Sequence, residues 1–183
     1  MSNARRHCFF AGPGQVNYQI PPGTADGTAN VIVRNSLGET SSGTIRVGAV
    51  APGLFTGNAN GSGASVGFAI HVVGAQQTRE SLFAINSTTN SAVTRAITFN
   101  PASESLFLEL YGTGLRNRTS QANVSCEIGG VTIPVEYASD APGFIGLDQI
   151  NIRIPNSLDN RGEVDLVIIA DGKRSQTVRV NIQ

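Results

Sequence analysis

Apolar and polar residues alternate with a period of two along most of this chain. Ile150, Ile152 and Ile154 point one way while Gln149, Asn151 and Arg153 point the other. Val178, Val180 and Ile182 alternate with Thr177, Arg179 and Asn181, and Val124, Cys126 and Ile128 with Asn123, Ser125 and Glu127. Val131, Ile133, Val135 and Tyr137 alternate with Thr132, Pro134 and Glu136. Successive side chains of a strand leave opposite faces, so this pattern predicts antiparallel sheets with one buried face. Val164 to Ala170 is apolar on both faces, as a central strand covered on each side requires. A helical period is nearly absent.

Turn signals separate these runs: Gly112-Thr113-Gly114, Gly129-Gly130, Ala141-Pro142-Gly143, Asn160-Arg161-Gly162 and Asp171-Gly172. Six or seven strands are expected after Pro101, which is the size and turn density of an immunoglobulin-like sandwich. The chain also repeats itself. Gln15-Val16-Asn17-Tyr18-Gln19-Ile20-Pro21 returns as Gln149-Ile150-Asn151-Ile152-Arg153-Ile154-Pro155. Each copy continues through a glycine turn and a Val/Ile run to a second turn, then a Thr-Ile/Val-Arg-Val strand at Thr44 to Val47 and Thr177 to Val180. A repeat at this spacing is a folding unit used twice.

The expected fold class is therefore all-β, with two immunoglobulin-like antiparallel β-sandwich modules in tandem. The first is placed at residues 5–99 and the second at 100–183, joined closely near Asn100. Only Arg5 to Phe10 precedes the first Gln-Val-Asn motif, so the sequence reads as starting inside a module. Strand-like runs at Ser65 to Val73, Ser81 to Ile85 and Val93 to Phe99, within 64–99, are expected to complete it. An uncovered sheet edge would otherwise invite strand exchange.

Composition narrows the function classes. Of 183 residues, 40% are hydrophobic and 14% charged, enough apolar surface for a core. Lys plus Arg equals Asp plus Glu at 13 each, so no electrostatic footprint for nucleic acid is present. No apolar run approaches the ~18 residues of a membrane-spanning helix, so membrane insertion is not expected. Met1-Ser2-Asn3-Ala4 resembles an expression-vector remnant, and a natural export signal is expected to lie outside the sequence.

Several ordered motifs carry a resemblance. Gly14 to Gly23, Ala51-Pro52-Gly53-Leu54-Phe55-Thr56 and Leu110-Tyr111-Gly112-Thr113-Gly114-Leu115-Arg116 are followed by Gly146-Leu147-Asp148-Gln149-Ile150-Asn151, Gly162-Glu163-Val164-Asp165 and Thr177-Val178-Arg179-Val180. Together they resemble the Solibacter-type uncharacterised C-terminal domain, an immunoglobulin-like family at the ends of large secreted bacterial proteins. The match covers nearly the whole chain. The Leu-Tyr-Gly-Thr-Gly-Leu element is also similar to the opening of IPT/TIG-type domains. The resemblance implies a non-catalytic extracellular or cell-surface module and brings no catalytic residues.

Tests for chemistry point the same way. Cys126 and Cys8 are expected as buried free thiols in separate cores, with no zinc spacing. His7 and His71 form no His-x-x-x-His pair and the sequence has no Gly-x-Ser-x-Gly elbow, so no triad is expected. Asp159, Glu163 and Asp165, with Asp148 and Asp171, read as turn carboxylates rather than a calcium loop. Gly112-Thr113-Gly114 has no following Lys-Ser/Thr and is no phosphate loop. No cofactor or metal is expected.

A sugar platform needs exposed aromatics, and the chain has no Trp and three Tyr. Alternation turns Tyr18 and Tyr137 to the core. Tyr111, on the face of Phe107 and Glu109, is the one ligand candidate; its alternative place is beneath the Gly-Thr-Gly turn or at the junction between modules. The expected function is adhesion, scaffolding or presentation at the end of a larger secreted protein. A protein or cell-surface glycan is the expected kind of partner, a glycan-binding module is the alternative function, and the sequence sets no oligomeric state.

Overall fold

The structure is a computed structural model, and it describes residues 8–183. The expected module start at Arg5, His7 and the Met1–Ala4 remnant lie outside the described residues. The chain is all-β, and the helical elements among the described residues are two short 3₁₀ turns at Gln121–Asn123 and Asn156–Leu158. It divides between Ala49 and Val50 into two compact units.

Unit 1 consists of two antiparallel hairpins. β1 (Cys8–Gly12) pairs with β2 (Gln15–Tyr18), and β3 (Gly27–Arg34) with β4 (Thr40–Val47). The β3–β4 turn is tied by Asn35, whose side-chain oxygen accepts from the amides of Leu37 at 3.0 Å and Glu39 at 2.9 Å. No described residue of this unit is buried.

Unit 2 continues with β5 (Gly53–Leu54), β6 (Gly67–Val73), β7 (Gln76–Ser81), β8 (Phe83–Asn86), β9 (Ser91–Thr94) and β10 (Ala96–Ile97). Then come β11 (Ser105–Thr113), β12 (Val124–Ile128), β13 (Val131–Pro134), β14 (Tyr137–Asp140) and β15 (Asp148–Arg153). β16 (Gly162–Ala170), β17 (Lys173–Arg174) and β18 (Val178–Ile182) complete the chain. One sheet runs β14-β15-β11-β6-β7 with β5 on the end of β11; the other runs β10-β18-β16-β12-β13 with β17 beside β16. Among the described residues the strand pairings are antiparallel except the short β10–β18 pair, Ala96↔Asn181 and Ile97↔Ile182; the isolated bridge Ala64↔Arg179 is also parallel.

The alternating residues of the two sheets share one core. Leu106, Leu108, Leu110, Ile150 and Ile152 come from the first sheet; Cys126, Ile128, Leu166, Ile168, Val178 and Ile182 come from the second, and all are fully buried. Each such side chain contributes about 1.5–3 kcal/mol relative to exposure. The apolar run Leu166–Ala170 lies in the central strand β16, held between β12 and β18.

The domain boundaries differ from the expectation. The strands within 64–99 pair within unit 2 and with no described strand of residues 8–49: β6 pairs with β11 along Leu110↔Gly67 to Ser105↔Val72, and β10 with β18. Asn100 is no junction either; its carbonyl accepts from Ser103 and Glu104 in a turn that feeds β11. The reason lies in pairing area. β6 offers six consecutive partners to β11, whose Leu106, Leu108 and Leu110 already lie in the core, whereas no described residue of unit 1 is buried.

Tyr137 is also reversed. Val135 and Ala138 are both buried, whereas Tyr137 is exposed and its hydroxyl donates to the Asp140 carbonyl at 2.8 Å. Alternation breaks between β13 and β14 because the chain leaves one sheet there and joins the other. A strand that changes sheets must re-aim its side chains to keep facing the core.

Candidate functional site

The outer face of the β14-β15-β11-β6-β7 sheet carries Tyr111, and the register explains its neighbours. Leu106, Leu108 and Leu110 of β11 turn inward, so Phe107, Glu109 and Tyr111 turn outward and are half-buried. Glu109 stands opposite Phe68 on one side and Asn151 on the other. Arg79 of β7 stands opposite Ile70.

These side chains are tied together. The Tyr111 hydroxyl donates to Glu109 Oε1 at 2.5 Å, and Arg79 donates to the same oxygen at 2.6 Å and to the Tyr111 hydroxyl at 3.0 Å. The Arg79 guanidinium lies 3.6 Å from the Phe68 ring centroid, a cation–π stack. Phe68 meets Tyr111 edge-on, with centroids 6.3 Å apart and planes at 86°. Along the same face Arg153 lies over Phe107 at 6.0 Å and donates to Ser105 Oγ at 3.2 Å. Partial burial, followed by the Glu109 carboxylate, pushes the Tyr111 hydroxyl above its ordinary value, with Arg79 opposing. Tyr111 is thus a neutral donor locked in one orientation.

The motif glycines beside it are structural. Ala51-Pro52-Gly53-Leu54-Phe55 runs along the end of β11: Gly112 pairs with Leu54, Ala51 N–H donates to Gly114 O at 3.0 Å, and Phe55 N–H to Tyr111 O at 2.9 Å. A Cβ on Gly114 would lie 1.9 Å from the Ala51 carbonyl oxygen, and its φ of +84° also favours glycine. Asp148 fastens the other side. It is buried, and it accepts from Leu115 N–H at 3.0 Å and Arg116 Nε at 2.7 Å. Gln176 closes the sandwich mouth: its side-chain oxygen accepts from Leu54 N–H at 3.2 Å, and its amide donates to Leu54 O.

The remaining candidates are dispersed. His71 sits between two carboxylates, Nδ1 bonded to Glu104 and Nε2 at 3.0 Å from Glu80, which also pairs with Arg95 at 3.1 Å. Both ring nitrogens are engaged, so neither is open to take a proton from a nucleophile. Cys126 is buried, and desolvation pushes its thiol well up. Cys8 is exposed rather than in a core, its Sγ donating to Phe10 O at 3.4 Å.

The carboxylates do not converge. Glu163 and Asp165 pair with Arg179 at 2.8 and 3.2 Å beside an open groove of about 570 Å³. Asp171 accepts from Thr119 N–H and Oγ1 at 2.8 and 2.7 Å. Among the described residues, no three of His, Cys, Asp and Glu are placed to hold a metal ion.

Sequence reading missed Phe68 and Arg79. The signal was available: alternation through Gly67 to Val73 sends Phe68, Ile70 and Val72 to one face, and the tight Gly74-Ala75 turn sets the register that brings Arg79 across. Comparison with protein-family models, with characterised proteins and with solved structures finds no match.

Proposed function

We propose that the chain is a non-catalytic, extracellular, immunoglobulin-like recognition module that docks or presents a larger secreted protein. The observation that carries this reading is the laced outer face of β11, β6 and β7, where Phe68, Arg79, Glu109 and Tyr111 form one pre-ordered surface. Aromatic and arginine side chains fixed before binding lose little entropy on contact, which is how a protein-recognition surface gains affinity. The layering of unit 2 supports the immunoglobulin-like assignment: two largely antiparallel sheets bury their alternating apolar residues in one core. The resemblance to the Solibacter-type domain agrees, since its motifs at Ala51 to Thr56, Leu110 to Arg116 and Gly146 to Asn151 brace one another.

A glycan ligand is the second reading, favoured by the aromatic pair Phe68–Tyr111. It requires displacing Arg79 from the Phe68 ring, so a protein partner fits the face better. The test is an array of proteins and oligosaccharides probed with the 183-residue chain. Saturable retention of a protein, lost in Arg79→Glu and Tyr111→Ala variants of unchanged thermal midpoint, supports the proposal. Retention of sugars alone, binding untouched by both variants, or turnover of a substrate overturns it.

A further inference from the structure

The two copies of the repeat have reached different ends. By the repeat, Tyr18 and Ile20 of unit 1 correspond to Ile152 and Ile154 of unit 2, Ala29 and Val31 to Val164 and Leu166, and Ile45 and Val47 to Val178 and Val180. The unit 2 residues lie in the shared core or against it. Their unit 1 counterparts line an open groove of about 320 Å³. Ile20 is 38% exposed where Ile154 is 3%.

The structure names what covers this face when it is closed. In unit 2 the edge of β15 opposite β14 is occupied by β11, with Leu108↔Ile152 and Leu110↔Ile150, and Ile154 N–H donates to Leu106 O at 2.9 Å. β11 brings Leu106, Leu108 and Leu110 at alternate positions over the core. In unit 1 the corresponding edge of β2, opposite β1, pairs with no strand among the described residues. The outer-face signature is otherwise kept: Gln15 donates to Asn17 at 2.6 Å as Gln149 does to Asn151 at 3.0 Å.

We propose that unit 1 is a strand acceptor: it binds an extended segment carrying large apolar side chains at alternate positions. The segment lies antiparallel along β2 and fills the groove of Tyr18, Ile20, Ala29, Val31, Ile45 and Val47. Backbone hydrogen bonds along the edge supply affinity, and the alternate side chains supply register and selectivity. A second copy of the chain is a poor donor, because its own β11 is hydrogen-bonded on both edges by β6 and β15. Releasing it would empty that copy's core. The occupant is therefore a β11-like segment that is not already folded into a sandwich.

A labelled peptide with the sequence of Ser105–Thr113 tests this against the full 183-residue chain by fluorescence anisotropy, with amide hydrogen exchange to locate it. Two control peptides share its composition: one groups the leucines together, the other is N-methylated at alternate amides. Saturable binding by the first peptide alone, at least tenfold tighter than either control, with exchange slowed at Val16 to Ile20, supports the proposal. An Ile20→Asp variant loses that binding at least tenfold while Cys126 stays masked to thiol reagents. No saturable binding, equal binding of a control, protection confined to residues 50–183, or concentration-dependent self-association that buries the groove overturns it.

Discussion

Two hairpin pairs that share the Gln-Val/Ile-Asn and Thr-Ile/Val-Arg-Val motifs sit in one chain, one sealed in a core and the other open. Ile150 and Ile152 are fully buried, whereas Val16 and Tyr18 at the matching places are only half-buried. The hairpins themselves do not differ in kind. What unit 2 has in addition is β11 beside β15 and β12 beside β16, whose Leu106, Leu108, Leu110, Val124, Cys126 and Ile128 extend both sheets over the shared core. A two-stranded ribbon is at best marginal alone, and a third strand with an apolar face changes that. Closure, rather than strand propensity, separates the two regions.

The sharpest way to test that contrast is thiol accessibility. Cys8, exposed in unit 1, is expected to react with a thiol reagent at once. Cys126 is buried, and desolvation holds it as the protonated thiol, so it reacts through global opening, on the order of 10³-fold more slowly or beyond. Comparable rates would show that unit 2 is open too. Next in size, Leu108→Ala is expected to cost unit 2 about 2–5 kcal/mol by transfer and cavity formation, read from the denaturant midpoint of Cys126 exposure. Val31→Ala in unit 1 is expected to move that midpoint by no more than about 0.5 kcal/mol. Equal effects would abolish the distinction.

Asp148→Ala leaves Leu115 N–H buried without an acceptor and is expected to cost about 1–3 kcal/mol; an unchanged midpoint would make the Asp148 contacts incidental. The smallest effect is acid sensitivity at Glu163. Its hydrogen bond from Thr94, then that from Arg179, holds the carboxyl below its ordinary range. A depressed folded value adds stability above the ordinary carboxylate range, and this is lost as pH falls through the folded value. Glu163→Gln should therefore lower the thermal midpoint at neutral pH slightly and flatten its decline in acid. A decline as steep as that of the parent would remove Glu163 from the account.

Much of the fold was legible because a period-two pattern states directly which side chains share a face. The buried sets Ile150/Ile152/Ile154 and Val178/Val180/Ile182 follow from it without further information. Pairing between distant strands is a different matter. Nothing local in Ser65 to Val73 says that it joins β11 rather than residues 8–49; that depends on which edge is long enough and already backed by a core. Tyr137 was misplaced because alternation carries no mark of the step at which a strand changes sheets. Tyr111 was found from its face, but its partner Arg79 arrives from another strand through the register of a hairpin, and only that register brings it within reach.

The amide of Gln176 grips Leu54 by both its N–H and its carbonyl, as a neighbouring strand would, although it is a single side chain. Chain direction gives that grip a mechanical meaning. Tension entering from Ala49 reaches the Ala51–Gly114 bond and this side-chain clasp before it loads the main body of either sheet. Leu54 thus acts as a strain-relief point, and the sandwich behind it is shielded from a pull until the clasp has slipped.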